Sequence, residues 1–161
     1  AIMFALEGVP GVYLHSLLGT RNDYARVENS GHFRAINRHQ WDFGILSQQL
    51  DDAHSHHGRL FARLTALLQL RAAQPAFHPN ATQFTLQFGT PVFGFWRQSI
   101  DRSQSIFCIS NITDSPQELL LSEINLIDAQ QWHDLIEQRQ FAAHETRLVL
   151  RPYQTVWISN V

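Results

Sequence analysis

The chain opens on seven helix-favouring residues, Ala1-Ile-Met-Phe-Ala-Leu-Glu7, broken at once by Gly8 and Pro10. Glycine just past a helix with proline close behind is a stop signal. Seven residues are too few for a helix to stand alone, so the run reads as the last turns of a longer helix. Val9-Pro-Gly-Val-Tyr-Leu14 is apolar and β-prone without alternation, which predicts a short strand covered on both faces. Helix, tight turn and buried strand make one step of an α/β repeat.

Residues 15–43 carry Gly19, Asn22-Asp23, Asn29-Ser30-Gly31 and scattered arginines with no sustained period. A connection this long is unusual, and such loops tend to be functional. From Ile45 to Leu70 the period becomes helical, with Leu60, Leu64, Leu67 and Leu68 on one stripe, and Pro75 ends it. His54-Ser-His-His57 falls at the start of this helix. Its spacing lacks the Cys or H-x-x-x-H partners of a metal site, so it reads as a solvated helix start.

After Pro79 the pattern changes. Phe84–Phe88, Val92–Trp96, Ile106–Ile109, Glu118–Leu121, Arg147–Leu150 and Thr155–Ile158 are six short β-like runs, several alternating and all separated by turn residues. They predict an antiparallel sandwich or Greek-key module of about 80 residues. Its aromatic residues Phe84, Phe88, Phe93, Phe95, Trp96, Phe107 and Trp157 lie mostly on alternating positions. That assigns them to a core rather than to a sugar-stacking platform.

Composition narrows the class. Apolar residues are 44% and charged residues 16% of the 161 positions, against disorder, and no apolar run is long enough to span a membrane. The formal net charge is −2, and all twelve basic residues are arginines spread along the chain. That leaves no electrostatic footprint for nucleic acid or a membrane surface. Cys108 stands alone within an apolar run, as a small buried hydrophobe does. With one cysteine no intrachain disulfide is possible, which fits a reducing, cytoplasmic setting.

No nucleophile elbow, phosphate-cradling glycine loop or zinc motif is present. The acidic residues Glu7, Asp23, Glu28, Asp42, Asp51 and Asp52 form no evident acid/base pair of the kind glycoside chemistry needs.

A resemblance adds to this. Gly8-Val-Pro-Gly-Val-Tyr-Leu14 resembles the eighth-strand motif of the α-amylase superfamily, glycoside hydrolase family 13. Leu18-Gly-Thr-Arg-Asn-Asp23 followed by Arg34-Ala-Ile-Asn-Arg-His39 is similar to the segment after that strand in the sucrose phosphorylase-like group. Trp132-His-Asp-Leu-Ile136 and Leu150-Arg-Pro-Tyr-Gln-Thr-Val-Trp157 resemble the end of that group's C-terminal domain. The likeness covers the whole chain. It implies an α/β part followed by an all-β part: residues 1–75 as the C-terminal end of a (β/α)8 barrel, and 76–161 as an antiparallel β-sandwich domain. Within the first part it implies the end of barrel helix seven, strand eight at 9–14, the loop 15–43 and the final helices.

In such barrels the active site lies at the C-terminal ends of the strands, so the 15–43 loop is the part expected to meet substrate. The resemblance implies that Arg34 sits at the subsite for the transferred glucose, paired with an upstream Asp. A planar guanidinium suits that place, since it can grip a carboxylate with two bonds and still donate to a sugar oxygen. Asn37, Arg38 and His39 complete the substrate-binding motif, chiefly as braces. Tyr13 and His15 fall behind it.

The nucleophilic Asp, the general-acid Glu and the stabilising Asp of the family are expected before Ala1, so no catalytic or metal residue is assigned here and no cofactor is implied. The implied partners are an α-glucoside, phosphate and the remainder of the barrel. The implied parent activity is retaining transfer of glucose between an α-glucoside and phosphate. A sucrose hydrolase or amylosucrase shares the Gly19-Thr-Arg-Asn-Asp23 loop, and a non-catalytic carbohydrate-binding module is the reading from another class. The chain by itself is expected to be inactive.

Overall fold

A computed structural model describes residues 1–124, 132–142 and 144–161, and its regular structure divides between antiparallel sheet and helices. The chain divides into two compact units: residues 1–10 with 69–161, and residues 11–68.

Among the described residues the first unit contains eight strands: β1 Thr82–Gln87, β2 Val92–Gln98, β3 Ser105–Asn111, β4 Gln117–Leu120, β5 His133–Asp134, β6 Arg139–Gln140, β7 Arg147–Leu150 and β8 Thr155–Ser159. All six predicted runs are strands. β5 and β6, two residues each, are additional. One antiparallel sheet has the order β1-β2-β3-β8-β5-β6, and β4 pairs with β7 in a second. Both sheets contribute to one apolar core, in which Val92, Phe107 and Ile109 meet Leu119, Leu148, Leu150, Val156 and Ile158. Alternation along β7, with Leu148 and Leu150 buried between exposed Arg147 and Val149, is the pleat expressed as burial.

Cys108, Phe95, Phe107 and Trp157 are buried, and Phe88 and Trp96 pack half-buried against the core. Phe84 and Phe93 depart from the core expectation and are exposed. Phe84 lies on β1, the edge strand, where nothing beyond it in the sheet provides cover.

Residues 1–10 are fastened to this unit. Helix α1, Ile2–Ala5, buries Phe4 and Ala5. Its free carbonyls, which a helix end leaves without partners, accept from two arginines. Arg71 Nε donates to Phe4 O at 2.6 Å and Arg97 Nη1 to Ala5 O at 2.8 Å. Arg71 Nη2 also donates to Gly8 O at 3.0 Å. Burial pulls the Arg97 guanidinium below its ordinary value.

The second unit is helical: α2 Leu14–Leu17, α3 Tyr24–Ser30, a 3-10 turn Phe33–Asn37, α4 Phe43–Asp51 and most of α5 His56–Ala72. Two expectations are corrected here. Residues 9–14 are not a strand: Val9 is exposed, and Leu14 already begins α2. A strand exists only through a partner, and no described strand pairs with this segment. The 15–43 stretch is not an unstructured loop but holds α2, α3 and the 3-10 turn.

The helical pattern read over 45–70 is carried by two helices, α4 and α5, broken at 52–55. Asp52 Oδ1 accepts from His54 N at 2.8 Å and Ser55 Oγ from Gly58 N at 2.8 Å, side-chain bonds that favour a turn over continued helix. His57 is also more than a solvated start, since its Nδ1 donates to Leu18 O at 2.7 Å. No helix of the described residues is long and apolar enough to cross a membrane.

Candidate functional site

The segment singled out by its motif is built on Asp23. Its carboxylate caps α3 by accepting from Arg26 N at 2.9 Å, and Gly31 ends that helix at φ 67°. The other oxygen of Asp23 accepts from His39 Nδ1 at 2.8 Å. The hydrogen bond from His39, with that from Arg26 N, holds the Asp23 carboxyl below its ordinary range. Asp23 N donates to Ile36 O at 2.7 Å, so one residue holds the 3-10 turn through its main chain and His39, two residues beyond the turn, through its side chain.

Two further bonds complete the pedestal. Tyr13 Oη donates to Asn37 O at 2.7 Å, and Arg26 Nη1 donates to Arg38 O at 2.8 Å. Three successive carbonyls, Ile36 to Arg38, are thereby fixed two to four residues after Arg34. Behind them, Trp41 Nε1 donates to Thr20 Oγ1 at 2.9 Å, and the rings of His39, Trp41 and His57 meet edge-to-face at 4.9 Å centroid spacings.

The four predicted residues therefore sit on one short stretch but face different surroundings. Arg34 projects from the 3-10 turn, exposed, with no hydrogen bond or ion pair to any described residue. Asn37 and Arg38 are exposed and contribute their carbonyls to the pedestal. His39 is half-buried against Asp23 and opens on a cavity of about 410 Å³ with Thr20, Asp23, Trp41 and His57. Arg34 and Arg38 open on another, of about 560 Å³.

Sequence reasoning missed Asp23 and Arg26 as supports. The helix-capping signal of Asp23, a short acceptor side chain before a run closed by Gly31, was present. Its pairing with His39 was not legible. Among the described residues no group of three or more His, Cys, Asp or Glu is placed to hold a metal ion.

Comparison with known proteins follows this geometry. No family model matches the chain. In fold it is similar to AmyP E221Q in complex with maltotriose, at 20% identity over 98% of this chain and 33% of that one, TM-score 0.73. It is also similar to the trehalulose synthase MutB from Pseudomonas mesoacidophila MX-45, at 14% identity over 98% and 36%, TM-score 0.62. The chain thus shares its fold with these two proteins over nearly its whole length.

Sequence similarity is narrower. The chain is 39% identical to a glucosylglycerate phosphorylase of Allomeiothermus silvanus over 98% of this chain and 25% of that protein. It is 30% identical to the glucosylglycerate phosphorylase of Escherichia coli K12 over 98% and 27%. A sucrose phosphorylase of Agrobacterium vitis matches at 30% over 68% and 21%. The chain is homologous to the sucrose and glucosylglycerate phosphorylases of glycoside hydrolase family 13, and spans about a quarter of the length of these relatives.

Proposed function

We propose that the chain is the C-terminal part of a retaining glycoside phosphorylase that moves glucose between an α-glucoside and phosphate. The observation that carries this is the likeness of nearly the whole chain to glucosylglycerate phosphorylases. In this reading residues 1–75 close a (β/α)8 barrel, residues 76–161 are a structural β-sandwich domain, and the protein works in the cytoplasm. The exposed side chains of Val9, Tyr13 and Leu14 suit a segment whose cover is supplied by the rest of the barrel.

Arg34 is the substrate-binding residue of the motif, presented to the transferred glucose. Its side-chain donors are unspent within the described residues, and the backbone shortly after it, at Ile36 to Arg38, is held by the Asp23, Tyr13 and Arg26 bonds, so less ordering remains to be done when a sugar or carboxylate arrives. Asn37, Arg38 and His39 brace it. The nucleophile, the general acid and the stabilising carboxylate are supplied from outside this chain. A carboxylate displaces the acceptor at the anomeric carbon while the acid protonates the leaving oxygen. Phosphate then releases the sugar as glucose 1-phosphate with net retention.

The test is glucose 1-phosphate release by the full-length protein from a panel of α-glucosides with and without phosphate. Phosphate-dependent release is expected, and water-only hydrolysis at full rate refutes the phosphorylase reading. Arg34→Ala is expected to lower kcat/KM by ~10- to ~150-fold, the worth of one hydrogen-bonded charged contact. The 161-residue chain alone is expected to turn over nothing.

A further inference from the structure

Residues 36 to 39 are each held by a hydrogen bond from Tyr13 or from the start of α3. Ile36 O accepts from Asp23 N at 2.7 Å, Asn37 O from Tyr13 Oη at 2.7 Å and Arg38 O from Arg26 Nη1 at 2.8 Å. His39 Nδ1 donates to Asp23 Oδ2 at 2.8 Å, since an ionised carboxylate only accepts. Asp23 thus makes the first and the last of these bonds. By capping α3 through Arg26 N it also places the backbone from which Arg26 reaches Arg38. The turn that carries Arg34 is closed internally by Ala35 N to His32 O at 2.9 Å and Arg38 N to Ala35 O at 3.1 Å, and Ala35 is buried.

None of these bonds reaches a substrate. They settle where the backbone that follows Arg34 stands, and a small misplacement of a binding group costs far more rate than its own contacts suggest. We infer that Asp23 is a positioning residue for Arg34, acting through its side-chain bond to His39 and its main-chain bond to Ile36. The inference rests on the reading of Arg34 as the residue that meets the transferred glucose. Every bond that carries it is made within residues 13–39. Aspartate suits the place because its two oxygens serve two donors at once, Arg26 N and His39 Nδ1.

The experiment uses the full-length protein with Asp23→Ser and Asp23→Asn, each alone and combined with Arg34→Ala, and with melting temperatures recorded. Serine caps a helix as aspartate does, but its single shorter hydroxyl cannot also reach His39. Asparagine keeps an oxygen for Arg26 N and offers its N–H to the other tautomer of His39, so both bonds survive. The readout is kcat/KM for fluoride release from α-D-glucosyl fluoride with inorganic phosphate present, a donor that fills the glucose subsite and needs no acceptor sugar. Asp23→Ser is expected to lower it about tenfold, by no more than Arg34→Ala does, and Asp23→Asn to recover most of that loss. Added to Arg34→Ala, Asp23→Ser is expected to change it by less than about twofold, because the residue it positions is gone.

An equal loss from Asp23→Ser in both backgrounds overturns the inference, since it marks a general role in stability. So does an Asp23→Ser protein within about twofold of wild type, or an Asp23→Asn protein as impaired as Asp23→Ser. Should Asp23→Ser melt below the assay temperature, His39→Ala breaks the same bond from its other end and is read by the same cycle. Failure of the parent reading looks different. Either wild type releases no fluoride, or Arg34→Ala alone is without effect; Arg34 then meets no glucose, and the inference falls with it.

Discussion

Trp157 is the most informative side chain to remove. It lies at the centre of β8, fully buried, with its ring edge-to-face on Phe77 at 4.8 Å between centroids. Its backbone N donates to Asp134 Oδ1 at 3.0 Å, but its indole Nε1 has no partner. A buried indole withdraws roughly 150–250 Å² from water. At about 25 cal/mol per Å² that is about 4–6 kcal/mol. Against it stands the cost of an unsatisfied buried N–H, about 1–3 kcal/mol, which truncation relieves. Trp157→Ala is therefore expected to cost about 3 kcal/mol net, at the low end of aromatic-to-alanine changes in cores.

Trp157→Phe separates the two contributions. It keeps much of the apolar area and removes the orphan donor, so its expected cost is about 1 kcal/mol or less. Trp96→Ala, at a half-buried position with its own Nε1 unpartnered, is expected to cost less than Trp157→Ala. The assay is urea unfolding followed by circular dichroism, with the midpoint and slope fitted separately. A loss under about 1 kcal/mol for Trp157→Ala, or equal losses for the Phe and Ala variants, would refute the reasoning.

Two further predictions concern the same fold. Burial holds the Asp134 carboxyl above its ordinary range, against hydrogen bonds from Trp157 N and Ile136 N that favour the charged form. With the folded value raised, the folded state takes up the proton first, so this group adds stability as pH falls from neutral through the folded value. Asp134→Asn, whose carbonyl oxygen can accept both bonds, should be at least as stable as wild type at neutral pH, its advantage shrinking on acidification. Urea midpoints across pH test this, and an advantage that grows toward acid contradicts it. Gly58→Ala should destabilise, although alanine ordinarily strengthens a helix by ~1 kcal/mol. Its Cβ would lie 2.3 Å from the carbonyl oxygen of Asp52, and main chain does not move aside cheaply. A lowered melting temperature is expected, and a raised one would show that the α4–α5 corner yields.

The strands of the β unit were legible because their signal is local. Alternation such as that of Arg147–Leu150 and turn residues between runs specify a pleated, one-face-buried segment whatever lies opposite. Their order was not legible. β8 pairs with β3 and β5, a choice made by which apolar faces fit together. The helix α3 has a cap and a glycine stop in its sequence yet no apolar stripe, so a search by periodicity passed over it. The strand expected at 9–14 shows the opposite case. Its composition suits a strand, but a strand is a relation to a neighbour, and among the described residues no neighbour is paired with it.

The candidate site divides in the same way. Its residue types and their spacing, from Arg34 to His39, stand in the linear chain, and so did the expectation that Arg34 touches substrate. That Asp23 reaches His39 across sixteen positions and that Arg26 holds the carbonyl of Arg38 were decided only when the chain turned back on itself. Hydrogen bonds between distant residues depend on distances in space, and separation along the sequence does not contain them.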